Sequence, residues 1–162
     1  MATRTLRTLA IYRQECKEGG IVNKDPGEEL SQSWTKGAPL VEDSSSAEMK
    51  IWPGTTDGAK ITGVAIGAAT GVTGADVPYM EANDYNLFQG SIINNTSAIA
   101  LATSHINTAY SLIASGKDWY IDIADTATKK VLIVAPIDDI GDENARVAFR
   151  FLTDFQAKVS AA

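Results

Sequence analysis

The sequence has little of the two residue types on which metal binding and covalent chemistry most often depend. It contains one cysteine and one histidine among 162 residues. A single cysteine, Cys16, cannot form a disulfide within the chain, so packing or assembly must offset the chain entropy lost on folding. One cysteine and one histidine are also too few for the usual zinc ligand sets. We therefore expect no metal centre.

Long apolar runs and positive charge are also scarce. No segment approaches the roughly 18 apolar residues that a membrane span needs, and the first 13 residues lack the apolar run and cleavage site of a secretory signal. Fourteen Lys and Arg are outnumbered by 20 Asp and Glu, and the pI is about 4.7. We expect a cytoplasm-like compartment, no membrane contact and no nucleic-acid partner, because a general phosphate-neutralising surface is missing.

Candidate catalytic groups are sparse. His105 is the one histidine that could serve as a general base, and the strand pattern around it predicts an exposed or rim position. The glycines at positions 63, 67, 71 and 74 are not followed by the Lys-Ser/Thr pair of a phosphate-binding loop and do not open a helix. The sequence therefore predicts no enzyme activity, no catalytic residue and no cofactor.

An acidic run near the carboxyl end of the chain offers oxygen ligands but lacks the fixed ligand register of an EF-hand loop. We interpret it as a solvated turn between strands, with a weak cation site as the alternative. The run consists of Asp138, Asp139, Asp142, Glu143 and Asn144.

The first 24 residues are predicted to form a basic arm outside the compact fold, because they mix a weak helical pattern with extended-chain threonines. Gly19 and Gly20 allow a change of direction within the arm, and Asp25, Pro26 and Gly27 form a turn after it. The β-rich body then spans residues 28–157, with two smaller subdomains, 28–80 and 84–157, as a possible division. The first quarter of the chain holds six of the 14 basic residues: Arg4, Arg7, Arg13, Lys17, Lys24 and Lys36.

The body is predicted to be all-β, a small barrel or sandwich of short strands at spacings of about eight to twelve residues. Residues 31–37, 38–43, 49–52, 59–67 and 76–80 are strand candidates, with a hairpin signal at 55–58. Alternation predicts strands at 105–112 and 119–124, and a continuously apolar strand covered on both faces at 131–137. In residues 146–151 it directs Val147, Phe149 and Phe151 to the core, and Arg146 and Arg150 to the opposite face.

The order of several phrases resembles the small capsid decoration (cement) proteins of tailed bacteriophages. These phrases are SQSWTKGAPLVED, ITGVAIGAATG and VPYMEANDYNLFQGSI, followed by GKDWYIDIADTATKKVLIVAPIDDIGDENARVAFRFL. The phrases run from residue 31 to residue 152, and the resemblance is taken to extend over about residues 28 to 157. The resemblance implies a β-tulip or small-barrel fold with no catalytic residue.

The resemblance also implies a subunit on the outer capsid surface of the virion, assembled in the host cytoplasm. It would clamp neighbouring major capsid proteins, commonly as a homotrimer. The resemblance does not reach the first 24 residues, so their role as a capsid-gripping arm is an inference of our own. The candidate contact residues are Arg4, Arg7, Leu9, Tyr12 and Arg13.

The alternative function is a glycan-binding or host-attachment module on a virion. It depends on the tryptophans, since an aromatic side chain exposed on a β surface can bind a sugar ring or a partner protein. Trp119 alternates with Ile121 and Ile123 and is predicted to be buried. Trp34 and Trp52 are the two whose exposure decides the alternative.

Overall fold

The computed structural model describes residues 1–13, 21–24, 27–54 and 60–156. Cys16, the glycine pair at 19–20, most of the 25–27 turn and the hairpin signal at 55–58 lie outside the described residues. Within the described ranges the regular structure is β-strand, with two short 3₁₀ turns at Thr103–His105 and Thr153–Phe155 and no α-helix. The predicted all-β class is therefore confirmed. No helix in these ranges is long and apolar enough to cross a membrane.

Eleven strands fall into two sheets in the described part of the chain. The first strands are β1 (Ala10–Arg13), β2 (Ile21–Lys24), β3 (Pro39–Glu42), β4 (Met49–Ile51), β5 (Gly63–Ala65) and β6 (Val77–Glu81). The later strands are β7 (Leu87–Ile93), β8 (Ala109–Ser115), β9 (Asp118–Asp122), β10 (Val131–Pro136) and β11 (Arg146–Phe151).

The larger sheet closes into a five-stranded barrel. Its order is β1-β7-β11-β10-β8-β9, and β9 pairs back onto β7. The closing pair is parallel, with Ile92 opposite Ile121, whereas the other barrel pairs are antiparallel. Closure removes the open edges of these five strands, which would otherwise be free to pair with another chain. β1 lies outside the ring and pairs with β7.

The smaller sheet has the order β2-β6-β5-β3-β4 and is antiparallel throughout. Its buried residues and those of the barrel belong to one hydrophobic cluster. Aromatic side chains join the two sheets: the Trp52 ring centroid lies 5.3 Å from that of Trp119 and 5.5 Å from that of Phe155. The two halves of the body therefore share a core.

The barrel interior is aromatic, as the alternation in residues 146–151 predicts. Val147, Phe149 and Phe151 are completely buried, and Arg146 and Arg150 are half-buried on the opposite face. The Phe88 ring packs 5.9 Å from Phe149 and 5.2 Å from Phe151. This part of the predicted core is confirmed.

Two predicted strands differ from the structure. The strand predicted at 105–112 begins only at Ala109 and extends to Ser115, because residues 103–105 form a 3₁₀ turn and Asn107 adopts a positive φ of 59°. β10 is not covered on both faces: Val131 and Ile133 are buried, but Leu132 and Val134 are half-exposed. The apolar run places one face in the barrel and leaves the other partly open to solvent.

Residues 1–13, which we call the N-terminal segment, lie on the barrel. β1 pairs antiparallel with β7, placing Ala10 opposite Gln89 and Ile11 opposite Phe88. Before β1, the amide N–H of Ser91 donates to the carbonyl of Arg7 and the amide N–H of Arg7 donates to the Ser91 hydroxyl. The expectation that the compact fold begins only after residue 27 therefore does not describe these residues.

Candidate functional site

The N-terminal segment inserts one side chain into the barrel. Leu9 is completely buried and belongs to the hydrophobic core. Gly90 on β7 makes room for it, since a Cβ at Gly90 would lie 2.7 Å from Leu9 Cδ2 and 3.5 Å from Phe149 Cε1. Leu9 thus occupies the volume that a side chain at position 90 would otherwise fill, and this packing fixes the N-terminal segment on the barrel wall.

A second attachment holds residues 2–4 on the loop between β10 and β11. The amide N–H of Ala2 donates to Asp142 Oδ1 at 2.8 Å, and Arg4 Nε donates to Asp142 Oδ2 at 2.7 Å. The Thr3 hydroxyl donates to Glu143 Oε2 at 2.6 Å. The backbone also pairs here, because the amide of Arg4 donates to the carbonyl of Glu143 and the amide of Glu143 to that of Ala2.

The sequence predicts that the acidic run in this loop is a solvated turn. The structure shows that this prediction is wrong for Asp142. Asp142 is only 4% exposed and binds the N-terminal segment. Asp138 accepts from Nε and Nη2 of Arg146, and Asp139 is exposed. In the described ranges no three His, Cys, Asp or Glu side chains are grouped so as to hold a metal ion. The carboxylates are used as partners for arginine and backbone N–H groups.

The attachment at Asp142 is expected to depend on pH. The Ala2 N–H and the Arg4 guanidinium hold the pKa of the Asp142 carboxyl below its usual value of 3.8. A carboxyl with a lowered folded-state pKa contributes stability above its unfolded-state pKa, and this stability is lost as pH falls through the folded-state value. We expect Asp142→Asn to lower the melting temperature at pH 7, with the gap to the wild type closing progressively below pH 3.8, measured by circular dichroism.

Asp139→Asn is the matched control, because Asp139 belongs to the same loop but is exposed. This control is expected to melt at the wild-type temperature at pH 7. A gap between Asp142→Asn and the wild type that stays constant down to pH 2 would contradict the assigned role of the ionised carboxylate.

Outside the barrel, the N-terminal segment borders a groove with a volume of about 440 Å³. We call it the Arg7 groove. It is lined by Arg7, Thr8, Ala10, Gln89, Gly90 and Arg146. The Arg7 side chain is exposed, and among the described residues it has no carboxylate partner. The groove therefore presents an arginine whose charge is not neutralised within the described chain.

Tyr12 extends this surface along β1. It is 47% exposed, whereas the preceding Ile11 packs against the core. Tyr12 lies where the register of β1 against β7 shifts, between Ile11 and Arg13, and its exposed side chain follows Ala10 along the same strand. Tyrosine and arginine, together with tryptophan, are enriched among the energetically dominant contacts of protein interfaces. The Arg7 groove and Tyr12 together form the candidate functional site, which we call the Arg7–Tyr12 surface.

The five candidate contact residues take different positions. Arg7 and Tyr12 lie on the surface just defined. Arg4 is exposed, but its guanidinium forms an ion pair with Asp142 at 2.5 Å. Arg13 ends β1, and its side chain lies outside the described part. Leu9 is a core residue with no exposed surface, so it can act on a partner only through the position of its neighbours.

His105 makes structural contacts. Its Nδ1 accepts from the amide N–H of Ala102 at 3.1 Å, and its ring packs edge-on against Tyr110 at 6.0 Å. Burial lowers the pKa of His105 below its usual value of 6.5. In the described ranges no serine, threonine or tyrosine hydroxyl is hydrogen-bonded to it. Within the described residues, His105 is therefore not paired with a hydroxyl nucleophile.

The tryptophans are core residues. Trp34 and Trp52 are 3% and 1% exposed, and Trp119 is 4% exposed. The Trp34 indole N–H donates to the carbonyl of Gly67 at 3.2 Å. None of these three rings presents a face to solvent on which a sugar could stack, so the observation behind the glycan-binding alternative is removed for Trp34 and Trp52.

Sequence reasoning did not identify Asp142, Gln89, Gly90 or Arg146 as neighbours of the N-terminal segment. Asp142 lies 138 residues from Arg4, and no periodic pattern relates positions so far apart. A partial signal exists for Gly90, since a glycine within the apolar strand at 87–93 indicates close approach by another part of the chain. The comparisons add no further guide, because no family model, no curated protein and no solved structure matches this chain.

Proposed function

We propose that this protein is a non-catalytic structural subunit that binds the outer surface of a tailed-phage capsid and stabilises it by clamping neighbouring major capsid proteins. The proposal builds on the resemblance of residues 28–157 to capsid decoration proteins. The observation that supports it is the Arg7–Tyr12 surface, which presents an exposed arginine and an exposed tyrosine on a segment attached to the barrel at two points. Leu9 and Asp142 provide the two attachments.

A held segment suits this function because binding then costs little ordering entropy. A disordered arm loses conformational freedom when it binds, and that loss is subtracted from the affinity. Here the backbone around Arg7 is already paired with Ser91, and Tyr12 lies on a strand paired with β7. The contact residues are thus presented in place, as a clamp under mechanical load requires.

The proposed assembly is a homotrimer. Among the described strands, β2 and β4 end the smaller sheet and β1 ends the larger one. β4 is already covered on its outer side, where the amide N–H groups of Met49 and Ile51 donate to the Gly27 carbonyl and to Gln32 Oε1. This leaves β2 as the end of the smaller sheet for pairing with another subunit. We propose that the smaller sheet supplies the contacts between subunits, while the Arg7–Tyr12 surface binds the capsid.

The test is cosedimentation of purified protein with expanded capsids, with unexpanded capsid precursors and tails as competing targets. We expect binding to expanded capsids, and we expect Tyr12→Ala to weaken it by about tenfold or more, as for the truncation of an interface aromatic. Val72→Ala is the control, because Val72 is 61% exposed and lies between β5 and β6 of the smaller sheet, not on β1 or β7. Binding to tails in place of capsids would refute the proposed function.

A further inference from the structure

The Arg7 groove is rich in hydrogen-bond donors. Arg7 contributes an exposed guanidinium. Arg146 uses Nε and Nη2 to bind Asp138, but a guanidinium has five N–H donors, so others remain. The Thr8 hydroxyl oxygen accepts from the amide N–H of Trp119 at 3.0 Å, which leaves the hydroxyl hydrogen to donate. A ligand for this groove must therefore supply acceptors.

The floor of the groove carries only a methyl group and a glycine backbone. Ala10 and Gly90 line it, and neither can block the approach of a planar group. The lining comes from three adjacent segments: the N-terminal segment, β7 and β11. Neighbouring strands are about 4.8 Å apart, so the groove spans roughly 10 Å, the length of about three residues of extended chain.

The charge of the groove differs from that of the whole chain. The protein carries a formal net charge of −6, and the Asp138 carboxylate already neutralises Arg146. Arg7 therefore supplies the attraction for a single carboxylate. A nucleic acid presents a continuous track of phosphates, which an acidic protein with one unneutralised arginine at the site would repel overall.

We propose that the Arg7 groove binds an extended acidic segment of the partner protein, with one Asp or Glu carboxylate on the Arg7 guanidinium. This inference rests on the proposed function and specifies the chemistry of the capsid segment. The carboxylate accepts N–H donors from Arg7 in the bidentate geometry that guanidinium groups favour. The backbone of the segment passes over Ala10 and Gly90, and an adjoining side chain packs on Tyr12.

The experiment uses the full-length protein in two binding assays. In the first, capsid affinity is measured at low and high NaCl for the wild type, Arg7→Glu and Arg7→Gln. We expect Arg7→Glu to bind about tenfold or more weakly, Arg7→Gln to lie between, and the difference to shrink as salt screens the charge. Lys129→Glu makes the same charge change at an exposed residue just before β10, and the end of β10 that pairs near Arg146 is the opposite one. This variant is expected to bind like the wild type.

In the second assay, a hexaglutamate peptide is titrated into the labelled protein and followed by NMR. We expect shifts at Arg7 Nε and at the amides of Thr8 and Gly90, which are absent with hexaglutamine and with the Arg7→Glu variant. Capsid binding that ignores Arg7→Glu would overturn this inference and leave the proposed function standing. Peptide binding without any capsid binding would support the groove chemistry and refute the proposed function.

Discussion

Replacing Leu9 with alanine is expected to lower the free energy of unfolding by about 2–5 kcal/mol, the range for truncating a buried leucine. Leu9 is completely buried, and the absence of a side chain at Gly90 leaves no neighbour on β7 to fill the cavity. The cost should fall in the upper half of that range, since a closed barrel collapses poorly around a hole. Urea denaturation followed by circular dichroism measures the change.

Leu30→Ala provides the matched control for this substitution. Leu30 is 69% exposed, so removing its side chain should change the free energy of unfolding by no more than about 0.5 kcal/mol. Equal effects of the two substitutions would mean that Leu9 does not occupy the barrel. In that case residues 1–13 would behave as the free arm that the sequence predicts, and the Arg7–Tyr12 surface would lose its support.

Replacing Gly37 with alanine is expected to destabilise the protein by about 3 kcal/mol or more, through a backbone conflict and a direct clash. Gly37 has a φ of 93°, which an L side chain rarely adopts. A Cβ built there would also overlap the carbonyl oxygen of Leu9. The substitution should therefore displace the N-terminal segment from the loop before β3, although the two are far apart in sequence.

Gly116→Ala separates the two causes. Gly116 has a φ of 64°, but a Cβ there would meet no atom within 4 Å. Its replacement should cost about 1 kcal/mol, the conformational penalty alone. Thermal and urea unfolding of both variants give the comparison. If Gly37→Ala costs no more than Gly116→Ala, Leu9 does not pass against Gly37 in solution.

The strand pattern of the barrel could be predicted where one face is apolar and the other polar. Residues 146–151 show this, because Val147, Phe149 and Phe151 alternate with two arginines and a small alanine. The prediction failed where apolar residues are continuous. In β10, alternation is hidden by Leu132 and Val134, whose half-exposed positions depend on what the rest of the chain leaves uncovered.

The candidate site was predicted only in part. Arg7 and Tyr12 could be selected because polar and aromatic side chains stand out in a basic segment. Leu9 is named with them as a contact residue, although it is completely buried in the barrel. Leu9 packs against Gly90, and a glycine has no side chain whose pattern would indicate such packing. Arg4 pairs with Asp142, which belongs to an acidic run that the sequence predicts to be solvated.

The sequence by itself determined the all-β class, because the apolar period of two is a local property of each strand. It also limits metal binding, since one histidine and one cysteine are too few for the usual zinc ligand sets. Only the tertiary structure decided that residues 1–13 belong to the barrel. Leu9 fills the space beside Gly90, and Arg4 pairs with the Asp142 carboxylate. These contacts join residues far apart in the sequence, so no periodic pattern in the chain indicates them.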